Sequence, residues 1–167
     1  MSGTLLVLRN CQRARPLNTK LLRKIVRGLL VEELSRNDFE IGVSIIGKEA
    51  MTRMNECYLR HEGSTDVITF DYRDAARPKC LAGEVFICLE EALTQAPRFR
   101  VTWQNELVRY IVHGVLHLSG YEDKTAVARR KMKREENRLM RRLAERFKLD
   151  SIKTTRRRMI AAKQSHD

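Results

Sequence analysis

The chain has 167 residues, 43% of them hydrophobic, and a net charge of +12 from 33 Lys or Arg against 21 Asp or Glu. That length fits one domain able to bury a core without disulfides or a structural metal, and the hydrophobic share excludes a disordered chain. No apolar run approaches the ~20 residues of a membrane-spanning helix, and Met1 to Asn10 lacks the layout of a signal peptide.

Thr4 to Leu8 is an apolar, β-compatible run and predicts the first strand. A helical pattern follows Pro16, from Asn18 to Leu34, with Leu21, Leu22, Ile25, Leu29 and Leu30 on one stripe. Asn37-Asp38 marks a turn, and Phe39 to Ile46 alternates as a second strand. Gly47 opens a helix to about Leu59, with Met51, Met54 and Tyr58 expected inward. After the loop His61 to Ser64, Asp66 to Phe70 reads as a third strand, and Arg73 to Lys79 as an exposed connection. Glu84 to Leu89 supplies a fourth strand, running into a helix from Glu90 to about Phe99 that Pro97 should end or kink. Thr102 is placed to cap the next helix, which ends at Gly120 and carries Leu107, Tyr110, Ile111, Val115 and Leu118. The last helix spans roughly Thr125 to Phe147, with a sparse inner stripe of Met132, Leu139, Met140 and Leu143.

Strands lead, helices interleave and no linker separates a second domain. The expected fold is α/β (α+β): a single compact domain, residues 1–149, with a mixed sheet of about four strands, flanking helices and a zincin-like metal helix. Residues 150–167 are polar and basic and read as a frayed tail. Strand order does not follow from the pattern. Cys11, Cys57, Cys80 and Cys88 form no CxxC pair and read as reduced, mostly buried thiols of a cytoplasmic protein.

Charge is concentrated. Residues 121–167 hold 16 Lys or Arg against 7 Asp or Glu, and the first 27 residues hold seven basic side chains and no acidic one. A field this one-sided favours a polyanionic partner. The basic segments lack a large apolar face with aromatic anchors, so RNA is expected rather than a membrane surface.

Residues 113–123 read His-Gly-Val-Leu-His-Leu-Ser-Gly-Tyr-Glu-Asp. His113 and His117, at i and i+4 on a helix, project from one face. Gly120 can end the helix in a left-handed turn and bring Asp123 back towards both imidazoles. Two nitrogens and a carboxylate oxygen with a vacancy is how a catalytic zinc is held. Glu122 competes with Asp123 for the third position, and nickel, copper or iron are chemical alternatives to Zn2+. Zinc peptidases place a Glu immediately after the first His as general base; here that position is Gly114.

This motif resembles the YbeY family of bacterial rRNA maturation factors, single-strand-specific endoribonucleases that usually read HGxLHLxGYDH. Asn55 and Tyr58 lead into Thr65-Asp66-Val67-Ile68-Thr69-Phe70, similar to the family's TDVLSF strand, and Ala82 to Ile87 is similar to its LGDIxI strand. Asn105 and Glu106 stand where the family has its acidic helix start, and the likeness runs from about Ile41 to Arg142. It implies a compact α/β domain with a metal pocket beside the sheet. Two departures stand out. The family's third metal histidine falls at Asp123, and the arginine that follows Tyr in its N-x-x-Y-R segment is Leu59 here, with Arg60 one place later.

The resemblance implies metal-assisted hydrolysis of single-stranded RNA in rRNA maturation, at the 3′ end of 16S rRNA, and in ribosome quality control, with the small subunit as partner and no small-molecule cofactor. A metal on His113, His117 and Asp123 would polarise a phosphoryl oxygen or deliver hydroxide. Arg60 is the candidate replacement for the family arginine, or an ordinary loop arginine. Glu84 is a candidate general base, or a sheet carboxylate. Arg129, Arg130, Lys131 and Arg134 on the last helix are candidate phosphate contacts. The rival readings are a zinc metallopeptidase and a non-enzymatic ribosome assembly factor with a structural metal.

Overall fold

The computed structural model describes residues 3–154. In chain order it has β1 (Thr4–Asn10), α1 (Thr19–Gly28), β2 (Phe39–Ile46), α2 (Lys48–Tyr58), β3 (Val67–Asp71), β4 (Leu81–Cys88), α3 (Leu89–Gln95), α4 (Trp103–Leu118) and α5 (Ala126–Arg146). The strands form one mixed sheet in the order β1-β2-β4-β3. The β1–β2 and β2–β4 pairs are parallel, and β3 lies antiparallel on the free edge of β4.

Side chains on a strand alternate between faces, and here the alternation divides the molecule. Phe39, Ile41, Val43 and Ile45 of β2, with Leu81, Val85 and Ile87 of β4, are buried in the main core. Into that core α1 sends Leu22, Ile25 and Val26, and α4 sends Leu107, Val108, Ile111, Val112, Val115 and Leu116. Each such side chain contributes about 1.5–3 kcal/mol on burial, so α4 is fixed against the sheet along its length. From α5, only Met132, Leu139, Met140 and Leu143 of the apolar residues are buried. A second, smaller cluster on the other face joins Met51 of α2 to Ile46, Ile68 and Cys88.

Several expected boundaries shift. The predicted helix 18–34 is α1 as far as Gly28 and then a wider π-helical turn, Leu29–Glu33. Pro97 does end α3, within a 3-10 turn spanning Ala96–Phe99. Tyr58 does not point inward: it is 66% exposed and rests edge-on against Phe70. Cys80 and Cys88 are buried, but Cys11 and Cys57 are exposed, because a thiol packs inward only where its strand or helix position does.

The first residues of the tail expected from residue 150 are built into the fold. Leu149–Ile152 forms a 3-10 turn, Ile152 is wholly buried, and its carbonyl accepts the Asn18 N–H at 2.8 Å. One apolar side chain with a place in the core overrides the polarity around it. Residues 155–167 of the expected tail lie outside the described residues. Among the described residues no helix is long and apolar enough to cross a membrane.

Candidate metal centre

Helix α4 begins at Thr102, whose hydroxyl accepts the Asn105 N–H at 3.1 Å. It ends in a tight reversal: the Tyr121 N–H reaches back to the Leu116 carbonyl and the Gly120 N–H to that of His117, both at 3.0 Å. The reversal requires φ of +100° at residue 120, which glycine adopts without a steric cost. The chain then passes Asp123 back across the end of the helix.

His113 Nε2 and His117 Nε2 lie 3.0 Å apart, and Asp123 Oδ2 is 3.6 Å from the first and 3.4 Å from the second. Tetrahedral bonds of about 2.0–2.1 Å to a zinc ion put its donors roughly 3.3 Å apart. The spacing found here fits that requirement, with Asp123 and not Glu122 as third donor. The outer nitrogens strengthen the fit. His117 Nδ1 faces the Tyr121 carbonyl at 3.1 Å, and His113 Nδ1 faces the Glu136 carboxylate at 2.8 Å. Both partners accept, so each Nδ1 carries the proton and each Nε2 offers a lone pair inward. Two lone pairs and a carboxylate oxygen converging without a donor call for a cation. The side chains of His113 and His117 remain 27% exposed and that of Asp123 42%, so the site is open on one side.

Glu136 is the residue that the sequence reading missed. Its side chain is 8% exposed, and besides His113 it accepts from Arg109 Nη1 at 3.2 Å. Burial would raise its carboxyl, but His113 and Arg109 outweigh that and hold it below the usual carboxylate range. Burial likewise opposes charge on His113, yet Glu136, with Asp66 and Asp123, carries that imidazole above its ordinary value. The available signal was an acidic residue on the buried stripe of α5, at i+4 from Met132.

Gly114 packs towards the sheet, away from the point on which His113, His117 and Asp123 converge. A Cβ there would fall well inside contact distance of Val85 Cγ1, 3.2 Å from Val85 Cγ2 and 3.3 Å from Val67 Cγ1. The position used by the peptidase base is closed by the contact of helix and sheet.

Two cavities meet at His113. A cleft of about 630 Å³ is lined by residues of the β3 approach, α3, α4 and α5, among them Asp66, Glu106, Arg109 and His113. A smaller one of about 380 Å³ lies between His113, Asp123 and the side chains of Arg129, Arg130 and Lys133. Arg129 Nη1 also donates to the carbonyls of Asp123 and Lys124, at 3.3 and 3.4 Å, and so holds the ligand loop. Lys131 stands over the Tyr121 ring, and Arg134 is exposed on the same helix.

The two residues expected to be catalytic are not brought to the metal ligands. Glu84 faces the other side of the sheet: its neighbour Val85 meets α4, and strand alternation turns Glu84 away. Its carboxylate accepts from the Tyr72 hydroxyl at 3.0 Å and lies 4.0 Å from Arg9. Arg60 sits in the exposed loop after α2 with φ of +54° and lines neither cavity. The arginines beside the ligands come from α4 and α5.

Comparison with known proteins agrees with this geometry. The family model described as Endoribonuclease YbeY matches residues 8–144. A Bacteroides fragilis protein named Endoribonuclease YbeY is 39% identical over 60% of this chain and 70% of its own. One of the same name from Chlorobium luteolum is 35% identical over 74% of this chain and 87% of its own. A solution structure of a Thermotoga maritima protein superposes with a TM-score of 0.57 at 22% identity, covering 82% of this chain and 89% of that one, a likeness of fold.

Proposed function

Since the chain belongs to the YbeY endoribonuclease family, we propose that it hydrolyses phosphodiester bonds of single-stranded RNA with a zinc ion held by His113, His117 and Asp123. The observation that carries this reading is the triad itself: three inward acceptors at zinc spacing, both imidazoles locked by their outer nitrogens, open on one side. A bound zinc supplies Lewis acidity at a phosphoryl oxygen. The remaining work falls to the chain. Glu136 and the Tyr121 carbonyl orient the imidazoles, and Arg129 holds the loop that carries Asp123. Arg130 and Lys133, in the smaller cavity, offset charge that builds on the phosphorus.

Of the carboxylates in the larger cleft, Glu136 is engaged by His113 and Arg109, and Glu106 is only 4% exposed. Asp66 is the candidate proton acceptor by position: it lines the cleft beside His113, and only its Oδ1 is engaged among the described residues, by the Val67 N–H and the Thr65 hydroxyl. Arg129, Arg130, Lys131 and Arg134 contact phosphates of the RNA and position it without reading sequence. Within the family frame the substrate is rRNA, at the 3′ end of the small-subunit RNA, and the setting is ribosome maturation and quality control in the cytoplasm.

Zinc-loaded protein is expected to cut single-stranded RNA and to leave casein intact. His117→Ala should abolish cleavage and zinc binding with the circular dichroism spectrum unchanged. Undiminished RNA cleavage by metal-free His117→Ala protein would overturn the mechanism, and cleavage of casein in place of RNA would overturn the substrate class.

A further inference from the structure

The cleft of about 630 Å³ beside His113 exceeds what the metal site requires, and its lining is chemically divided. Two of its residues are apolar and exposed, Phe99 at 63% and Val101 at 38%. Phe99 is held in place: it ends the 3-10 turn, and Arg100 immediately after it turns left-handed at φ of +55°, its N–H directed to the Ala96 and Pro97 carbonyls. Opposite in character are Glu91, Gln95, Glu106 and Tyr110. Glu106 and Tyr110 are only 4% and 5% exposed, so their polar ends meet the cleft with little access to bulk water. Burial pushes the Glu106 carboxyl up and keeps the Tyr110 hydroxyl protonated.

Charge differs between the two cavities that meet at His113. In the larger cleft Asp66, Glu91, Glu106 and Glu136 outnumber Arg109 and Lys133, which disfavours a phosphate. In the smaller cavity Arg129, Arg130 and Lys133 face Asp123 and Glu136, which favours one. Both cavities share His113, Lys133 and Glu136, so a strand whose phosphates follow α5 would enter the cleft beside His113.

We propose that this cleft is a nucleobase subsite: the base adjoining the scissile phosphate stacks on Phe99 and turns an exocyclic amino group towards the Glu91 carboxylate. The inference rests on the endoribonuclease reading and adds a base preference to it. Cytosine and adenine present an amino donor where uracil presents carbonyl oxygens. A carboxylate accepts from the first two, whereas against uracil it is left desolvated and unpaired. Stacking on Phe99 is indifferent to base identity and supplies affinity.

The test uses the full chain loaded with zinc, and short single-stranded oligonucleotides of cytidine, adenosine or uridine. Cytidine and adenosine strands are expected to exceed uridine strands by about ten-fold in kcat/KM, the equivalent of one lost hydrogen bond. Phe99→Ala should raise KM about ten- to a hundred-fold on every strand with kcat little changed, and Phe99→Trp should restore it. Glu91→Gln should narrow the preference for cytidine. Fluorescence anisotropy with labelled strands on the His117→Ala variant should give the same ranking without cleavage. Equal binding of the three strands, unaffected by Phe99→Ala, overturns the subsite, and cleavage without base preference does so while leaving the nuclease intact. Cytidine-preferring binding that Phe99→Ala weakens, found with no cleavage by the parent protein, supports the subsite and removes the nuclease reading.

Discussion

Replacing Glu136 by Gln isolates the part of the metal centre that lies off the ligand set. The carboxylate accepts two bonds, from His113 Nδ1 at 2.8 Å and from Arg109 Nη1 at 3.2 Å, one on each oxygen. A glutamine of the same shape has one acceptor, so whichever way the amide turns, its NH₂ meets a donor. If it turns towards His113, the ring loses the bond that fixes its tautomer; if towards Arg109, the guanidinium loses its carboxylate. Either way the negative charge that makes His113 a stronger base is gone. Outer carboxylates of this kind carry about 10–100-fold in metal affinity, roughly 1.4–2.7 kcal/mol. The metal-free protein should also lose about 1.5–3 kcal/mol with one charge-assisted bond broken, a fall in Tm of several degrees for a domain of this size. Competition against a chromophoric chelator at pH 7 measures the first quantity, and thermal denaturation in EDTA the second. Zinc affinity equal to that of the parent, beside a lowered Tm, would make Glu136 a core residue only and refute the orienting role.

Asp123→Ala removes a donor itself, and its loss of zinc affinity is expected to exceed the about 100-fold ceiling of an outer-shell change, while Asp123→His should retain tight binding; chelator competition ranks all three. Gly114→Ala should destabilise the fold by about 1–3 kcal/mol, because the added methyl group meets Val85 and Val67; an unchanged denaturant midpoint would contradict the packing described. Glu33 is a buried carboxylate in which burial raises the pKa but Arg142 and Arg146 lower it further, leaving it below the ordinary 4.5. A group lowered on folding contributes stability above its unfolded pKa and loses it as pH falls through the folded one. Stability of the metal-free protein should therefore decline below about pH 4.5, and Glu33→Gln should flatten that limb in urea titrations across pH. For single strands each phosphate contact adds about 0.7 to the salt slope of log K, so Ala at Arg129, Arg130, Lys131 or Arg134 should each lower the slope by about that amount in anisotropy titrations. Asp66→Asn should reduce kcat with KM held, and an unaltered kcat would remove it as proton acceptor.

Local rules determined more of this molecule than its size suggests. Four strands, the capping threonine of α4, the left-handed Gly120 and the His113–His117–Asp123 triad all follow from short-range spacing, because period, cap and turn chemistry depend on residues a few positions apart. Sequence patterning also marked the α5 stripe, but did not single out Glu136 within it. Failures came where the deciding neighbour is distant in the chain. Glu84 sits one residue from a core valine, and the sequence says nothing of which face α4 will cover, so its place on the far side of the sheet was invisible. Ile152 in a polar segment became core only because the start of α1 lies beside it.

Gly114 draws the same division most clearly. The sequence by itself determined that the usual peptidase base is missing and that two imidazoles face one point. Only the tertiary structure decided why, by setting Val85 of β4 against that glycine, and only it supplied the carboxylate that holds His113, from a helix 23 residues further along the chain. Ligand spacing is a property of one helix and the turn that ends it. The orientation and basicity of those ligands are properties of what packs against it.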